Sequence, residues 1–311
     1  MNYTEVSNSE LLKATAKFLE RIETEGYRLT DEKPINYGIR LMLEKENSSC
    51  GVTFYYSKKK GLSWIIDKKK GSTLHVKLAV FIATLFQPRL HNWKTWCGTD
   101  ESGKGDVFGP LVTCGFVVEE SIIPDLLTIG VKDSKRCTAE QIESIARELH
   151  RSYRERIEVV TLQPEKYNDL YNSFRNQGKK LNELLTWMHS RAIVSLRERM
   201  PFEGALVDQF AKNIRFNNAI KDTNKIQIKA ATKAESDPAV AAASILARYH
   251  FLQGIKRIST KFGMKFPRGA GAGIAEAGDE FLQHWPRERM KEVAKLHFKN
   301  SFSGKKENQC L

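Results

Sequence analysis

The chain has 311 residues, 41% of them hydrophobic, and carries a formal net charge of +13, so it can form two cores and suits either a polyanionic partner or a soluble protein that is simply basic. No apolar run approaches the roughly 18 residues that a membrane helix needs, and the polar stretch Met1 to Glu10 lacks the apolar core of a secretory leader. The five scattered cysteines include no C-x-x-C pair, which argues against a disulfide framework or a zinc ribbon and for a reducing cytoplasm.

Residues 1–90 read as a small α+β domain. Ser7-Asn8-Ser9-Glu10 has the form of a capping box, and Leu12, Ala16, Leu19 and Ile22 follow at helical spacing, with Leu11 and Phe18 beside them, until Gly26. Ile39–Leu43 is expected as a strand. Val52–Tyr56 and Leu62–Asp67 are two more, joined through the basic turn Ser57-Lys58-Lys59-Lys60-Gly61. From Thr73, Leu74, Leu78, Phe81, Ile82 and Leu85 line one helix face. Residues 57–77 hold seven lysines against the single acid Asp67, with Tyr55, Tyr56 and Trp64 interleaved. Lysines beside aromatics suit nucleic acid, charge meeting phosphate and ring meeting base or sugar. Lysine-rich hairpin tips also guard against edge pairing, and alternate aromatics in strands commonly face a core. Pro88–Asn92 reads as the linker.

Residues 91–311 read as an α/β domain. Trp96 and Cys97 lead into Thr99-Asp100-Glu101-Ser102-Gly103-Lys104-Gly105-Asp106-Val107-Phe108-Gly109-Pro110, and the apolar run Leu111–Val118 leads out: strand, acidic corner, glycine turn, strand. Val131-Lys132-Asp133-Ser134-Lys135 is a polar turn, and Thr138–Gln141 is a capping box for a helix to about His150. Ile157–Leu162 is expected as a strand, Leu181–Met200 as a long amphipathic helix, Ala205–Val207 as a buried strand ending at Asp208, and Ile226–Ala230 as a strand. A helix over Ala239–Leu252 follows, with Pro238 at its first position, Asp237 as its N-cap and an alanine-rich face for close packing on a sheet. Shorter helical patterns lie at Glu280–Trp285 and Arg287–Lys295. His250, His284 and His297 read as structural histidines.

Acids fall at the ends of expected elements in three places: Asp100-Glu101, Asp208 and Glu235. Adjacent carboxylates repel unless a cation lies beside them, and hard oxygen ligands suit Mg²⁺. Four acids at one sheet edge would require metal, and two ions about 3.5–4 Å apart support in-line displacement at phosphorus. Gly103 and Gly105 let a ligand approach the backbone, and Lys104 adds a positive charge. Gly98, Gly103 and Lys104 also have the spacing of a P-loop. The Ser or Thr and the helix that should follow are missing, and Asp100 and Glu101 would repel a triphosphate, so an ATPase is disfavoured.

D-E-S-G-K-G-D-x-x-G-P, then D-S-K, then a strand ending in Asp208, then K-A-E and A-A-A-S-I-L-A-R resemble the type 2 ribonucleases H over about residues 94–300. Gly103-Lys104-Gly105 in place of G-R-G, Glu235 in place of Asp, and the basic N-terminal module resemble the ribonuclease HIII branch. The resemblance implies a ribonuclease H-like mixed sheet flanked by helices, behind a small α+β domain similar to half of the TATA-box-binding-protein fold. It implies a monomeric endonuclease that cuts the RNA strand of RNA–DNA hybrids and leaves 3′-hydroxyl and 5′-phosphate ends. Asp100, Glu101, Asp208 and Glu235 would hold two Mg²⁺ ions, with Mn²⁺ as the alternative. Gly103, Lys104 and Gly105 would read the ribose 2′-hydroxyl, and Ser134 and Lys135 would meet phosphates near the cut. Tyr56, Lys58, Lys59, Lys60 and Trp64 would bind substrate from the N-terminal domain. Around Phe266-Pro267-Arg268-Gly269 there is no counterpart to the tyrosine with which ribonuclease HII senses an RNA–DNA junction, implying weak cleavage at a lone ribonucleotide. The alternatives are a ribonuclease HII-like activity and a non-catalytic nucleic-acid-binding protein on the same fold.

Overall fold

The computed structural model describes residues 9–46, 48–57, 61–67, 73–86, 90–131, 134–211, 216, 226–271 and 273–298. Lys58, Lys59 and Lys60 lie outside the described residues, as do Ser7, Asn8, Pro88, Lys132 and Asp133. The chain divides into two compact units, Met1–Pro88 and Arg89–Leu311.

In the first unit, α1 (Ser9–Thr24) buries Leu11, Thr15, Phe18 and Ile22, which recur about once per turn. Gly26 ends it with φ +78°, a conformation that suits glycine. Four strands follow, β1 (Arg28–Ile35), β2 (Gly38–Lys45), β3 (Ser48–Ser57) and β4 (Gly61–Ile66), then α2 (Thr73–Phe86). The sheet is an antiparallel meander in that order. Strand β1 is absent from the sequence expectation: Asp31, Glu32, Lys33 and Pro34 give it no apolar alternation. It exists as an edge strand because β2 supplies the hydrogen-bonding partner. Alternation in the other strands sends Ile39, Leu41, Leu43, Val52, Phe54 and Ile66 to one core, where Phe18 meets Phe54 edge-on at 4.9 Å. Tyr56 and Trp64 share that face, and Trp64 packs against Phe86, so both rings pack against the core. The opposite face carries Arg40, Tyr55 and Ile65, the last 57% exposed.

The second unit runs β5 (Thr95–Ser102), β6 (Leu111–Glu119), α3 (Ile123–Ile129), α4 (Ala139–Ser152), β7 (Ile157–Leu162), α5 (Pro164–Asn176), α6 (Leu181–Arg199), β8 (Gly204–Asp208), β9 (Gln227–Ala231), α7 (Pro238–Phe262) and α8 (Ile274–His284). The five strands are ordered β7-β6-β5-β8-β9. β5 pairs antiparallel with β6 and parallel with β8, so the sheet is mixed. Trp96, Val112, Cys114, Phe116 and Leu206 share a core with α4 and α7, whereas Cys97, Val117, Ala205 and Val207 pack with Ile193 and Leu196 of α6. Gly98 permits a close contact with helix backbone: a Cβ there would stand 2.3 Å from Ala239 C and Val240 N at the start of α7. The alanine-rich face and the strand glycine therefore work as a pair.

Four elements of this unit differ from the sequence expectation, one being α8, which begins at Ile274 and not near Glu280. Helices α3 and α5 are absent from it; α5 is largely polar and buries only Pro164, Tyr167 and Asn168. Helix α7 continues past Leu252 to Phe262, its added turns burying Ile258 and Phe262, and Gly254 gives Pro110 room against it. Its later turns join Val107, Phe108, Phe266, Ile274 and Phe281 in a separate core. That core holds the turn after β5 from behind: Val107 N donates to Gly269 O, Gly109 N to Val293 O, and Lys295 N to Val107 O. The buried Lys295 Nζ donates to Gly109 O at 2.7 Å, and burial lowers its pKa to about 7.

Candidate active site

Strand β5 carries Asp100 and Glu101 at its end, and strand alternation sends them to opposite faces. Asp100, 9% exposed, is on the α7 side, where it hydrogen-bonds Ser244 and accepts the Glu101 backbone N–H at 2.7 Å. Ser244 Oγ lies 2.8 Å from Ser134 Oγ, and Arg248 donates to Ser134 O at 3.1 Å. The turn singled out in the sequence is thus moored to the helix that also touches Asp100.

Parallel pairing sets Thr99 beside Val207, so β8 delivers Asp208 next to Asp100. Asp208 Oδ1 accepts from Ala234 N at 3.2 Å, which docks the short 3-10 turn Ala234–Ser236 carrying Glu235. Lys135 Nζ lies 3.6 Å from Glu235 Oε1. The neighbouring Asp237 plays another part. Its Oδ1 accepts from Trp96 Nε1 and from the Ala239 and Val240 N–H groups, and its Oδ2 pairs with His91 Nε2 at 3.1 Å. With both oxygens engaged, Asp237 is the cap of α7 and Glu235 is left facing the other acids.

The electrostatics record the convergence. Burial, then the charges of Glu101 and Asp208, push the Asp100 pKa up to about 8 against the bonds from Ser244 and the backbone. Burial and the Glu235 charge raise that of Asp208, with Glu101 adding to it and Lys135 opposing. Strong mutual repulsion among oxygen donors is what a hard divalent cation relieves. Thr113, directly opposite Glu101 in β6, is fully buried with its hydroxyl oxygen unbonded, a polar atom left over on the Glu101 side. The donor chemistry therefore fits Mg²⁺ or Mn²⁺. Among the described residues no three His, Cys, Asp or Glu side chains already stand in ligating geometry, so the convergence is electrostatic and not a finished cage.

The glycine turn closes the site. Gly103 has φ +92°, and a Cβ there would sit 2.2 Å from Pro110 O, whereas a Cβ at Gly105 would meet open space. Lys104 Nζ donates to Phe210 O at 2.9 Å, lies over the Phe210 ring and stands 3.9 Å from Glu101 Oε1. The turn returns directly into β6 with no helix after Lys104, so the P-loop spacing has no P-loop structure. Asp100, Glu101, Asp208, Glu235, Gly103, Lys104, Gly105, Ser134 and Lys135 thus gather at one end of one sheet. Tyr56 and Trp64 belong to the other unit.

Sequence reasoning missed His189 and Ser244. His189 is wholly buried on α6, with Nδ1 2.8 Å from Thr99 Oγ1 and Nε2 3.2 Å from Glu101 Oε2. The available signal was a histidine set within the apolar stripe of Leu185, Met188, Ala192 and Ile193. Ser244 had no such mark among the alanines of α7.

A family model described as ribonuclease HII matches residues 97–301. A ribonuclease HIII of Protochlamydia amoebophila is 37% identical over 203 residues, 65% of this chain and 65% of that protein, so the alignment spans just under two thirds of that relative. A ribonuclease HIII of Bacillus cereus is 33% identical over 95% of this chain and 97% of its own length. The crystal structure of Bst-RNase HIII in complex with Mn²⁺ superposes with a TM-score of 0.62 at 24% identity, covering 92% of this chain and 94% of that one, and is similar in fold. With a family model over more than half of the chain and a relative aligned along nearly all of it, the chain belongs to the type 2 ribonuclease H family, in its ribonuclease HIII branch.

Proposed function

We propose that this chain is an endonuclease that hydrolyses the RNA strand of RNA–DNA hybrids, leaving 3′-hydroxyl and 5′-phosphate ends, and that it acts as a cytoplasmic monomer. One observation carries the reading: β5, β8 and the turn before α7 bring four carboxylates to one sheet end, where burial and the charges of Glu101 and Asp208 push the Asp100 pKa up to about 8 and the charges of Glu235 and Glu101 act on Asp208. Asp100, Glu101, Asp208 and Glu235 would hold the divalent cations. Once bound, those ions supply Lewis-acid activation for in-line displacement at phosphorus.

The chain's own residues do the rest. The bare backbone at Gly105 and the tight turn at Gly103 let the N–H groups of the 103–105 segment approach a ribose edge, where a 2′-hydroxyl distinguishes RNA from DNA. Lys104 holds Phe210 O and so keeps the segment after Asp208 against the turn. Ser134 and Lys135, moored through Ser244 and Arg248, place a hydroxyl and an ammonium beside the acids for flanking phosphates. In the N-terminal unit, substrate affinity falls to Lys58, Lys59 and Lys60 and the edges of Tyr56 and Trp64. The net charge of +13 supports a nucleic-acid partner. No helix among the described residues is long and apolar enough to cross a membrane, and four cysteines are buried thiols, which supports a reducing compartment.

The test is a labelled RNA–DNA hybrid incubated with Mg²⁺ or Mn²⁺, with and without EDTA, beside a DNA duplex holding one ribonucleotide. Metal-dependent cutting throughout the RNA strand, with little at the lone ribonucleotide, is the expected result. A hybrid bound but left intact in both metals would overturn the enzyme reading.

A further inference from the structure

We propose that His189 is a positioning residue for Glu101: it holds one carboxylate oxygen in place so that the other is presented to the divalent cation. The inference rests on the reading of Glu101 as a ligand. Glu101 as a carboxylate only accepts hydrogen bonds, so the contact at 3.2 Å makes His189 Nε2 the donor. His189 Nδ1 lies 2.8 Å from Thr99 Oγ1, whose hydroxyl donates to the neutral ring. Both ring nitrogens are therefore engaged, and the imidazole has no freedom to flip.

Three further features fix the ring. It lies on α6 with no exposed surface, between side chains of a packed core. Thr99 is also fully buried, two residues before Glu101 on the same face of β5. The Phe210 ring stacks on the imidazole with centroids 4.9 Å apart and planes 13° apart. Phe210 stands two residues after Asp208, and its carbonyl holds Lys104. One histidine thus ties the Glu101 carboxylate to the strand that carries it and to the segment leaving Asp208. Glu101 Oε2 is engaged by His189, while Oε1 has Lys104 at 3.9 Å, too far for a hydrogen bond. The oxygen left open is the one available to an ion. Outer partners of this kind fix a ligand's orientation before the ion arrives, and their loss typically costs 10–100-fold in metal affinity.

The experiment measures Mn²⁺ binding to the metal-free full chain by calorimetry, alongside hybrid affinity in EDTA and the Mn²⁺ dependence of cleavage. His189→Ala is expected to weaken Mn²⁺ binding about 10–100-fold, to leave hybrid affinity in EDTA within about twofold, and to recover much of its kcat at high Mn²⁺. His189→Gln, whose amide still donates to Glu101, is expected to regain most of the lost affinity. If the alanine variant does not fold, Thr99→Val serves instead: it removes the hydroxyl that sets the ring and should weaken Mn²⁺ binding several-fold. Wild-type Mn²⁺ affinity in a folded His189→Ala or Thr99→Val protein overturns the proposal. Glu101→Gln separates the two claims. If it too binds Mn²⁺ normally, Glu101 is not a ligand; if it alone loses the ion, only the positioning role fails.

Discussion

In the absence of divalent metal, Asp100→Asn should make this protein more stable. The folded structure pushes the Asp100 pKa from an ordinary 3.8 to about 8, chiefly by burial and by the charges of Glu101 and Asp208. A raised value means that the folded state binds the proton more tightly than the unfolded chain. Below about pH 4 both states are protonated and Asp100 adds no penalty. As pH rises from 4 to 8 the unfolded state gains from ionising and the folded state does not, so stability falls; above pH 8 the penalty is complete. Each pH unit in that window is worth about 1.4 kcal/mol, so the ceiling at pH 7 is about 4 kcal/mol. Water entering the cleft and small shifts of the neighbouring carboxylates relax part of it, leaving about 2 kcal/mol. Asparagine keeps the shape, accepts the Glu101 N–H and removes the charge. For a unit of this size the variant should melt about 4–8 °C above the parent in EDTA at pH 7, and the gap should shrink towards pH 4. Added Mg²⁺ should stabilise the parent more than the variant, while cleavage by the variant is lost. A variant no more stable than the parent in EDTA at pH 7, or a gap independent of pH, would show that the acids are not forced together by the fold.

Other outcomes follow from packing. Gly98→Ala should destabilise the catalytic unit by about 3 kcal/mol in chemical denaturation, since the new Cβ meets helix backbone at 2.3 Å that cannot yield. Asp237→Ala should cost on the order of 3 kcal/mol, because it removes the α7 cap and leaves the buried Trp96 and His91 donors unpaired; a loss under about 1 kcal/mol would place the start of α7 under other control. Removing residues 1–88 should weaken hybrid binding and flatten its salt dependence by roughly 0.9 in log–log slope for each phosphate that the shortened chain no longer neutralises; an unchanged slope would leave Lys58, Lys59 and Lys60 without a role in binding.

Much of this protein could be read from its residues in order. Strand alternation, the Thr138 cap and the Gly103–Pro110 turn are local signals, set by the geometry of a few neighbouring residues, and β5, β6, α4, β7, α6 and β8 follow from them. The acidic corner could be read for the same reason: charge at the end of an apolar run stands out without knowledge of any partner. Elements whose reason lies elsewhere in the chain could not be read. Polar β1 is a strand because β2 pairs with it, and the last turns of α7 are held by Phe266, Ile274 and Phe281, which bury Ile258 and Phe262.

The residues in order marked which carboxylates could matter, and the net charge of +13 pointed to a polyanionic partner. Only tertiary structure decided how those carboxylates are used. Parallel pairing of β5 with β8 brings Asp208 to Asp100, and strand alternation turns Asp100 towards Ser244 and Glu101 towards His189. Four bonds remove Asp237 from the set, two residues from Glu235. Burial and mutual repulsion depend on distances between segments far apart in the chain, and no local pattern of residues encodes those distances.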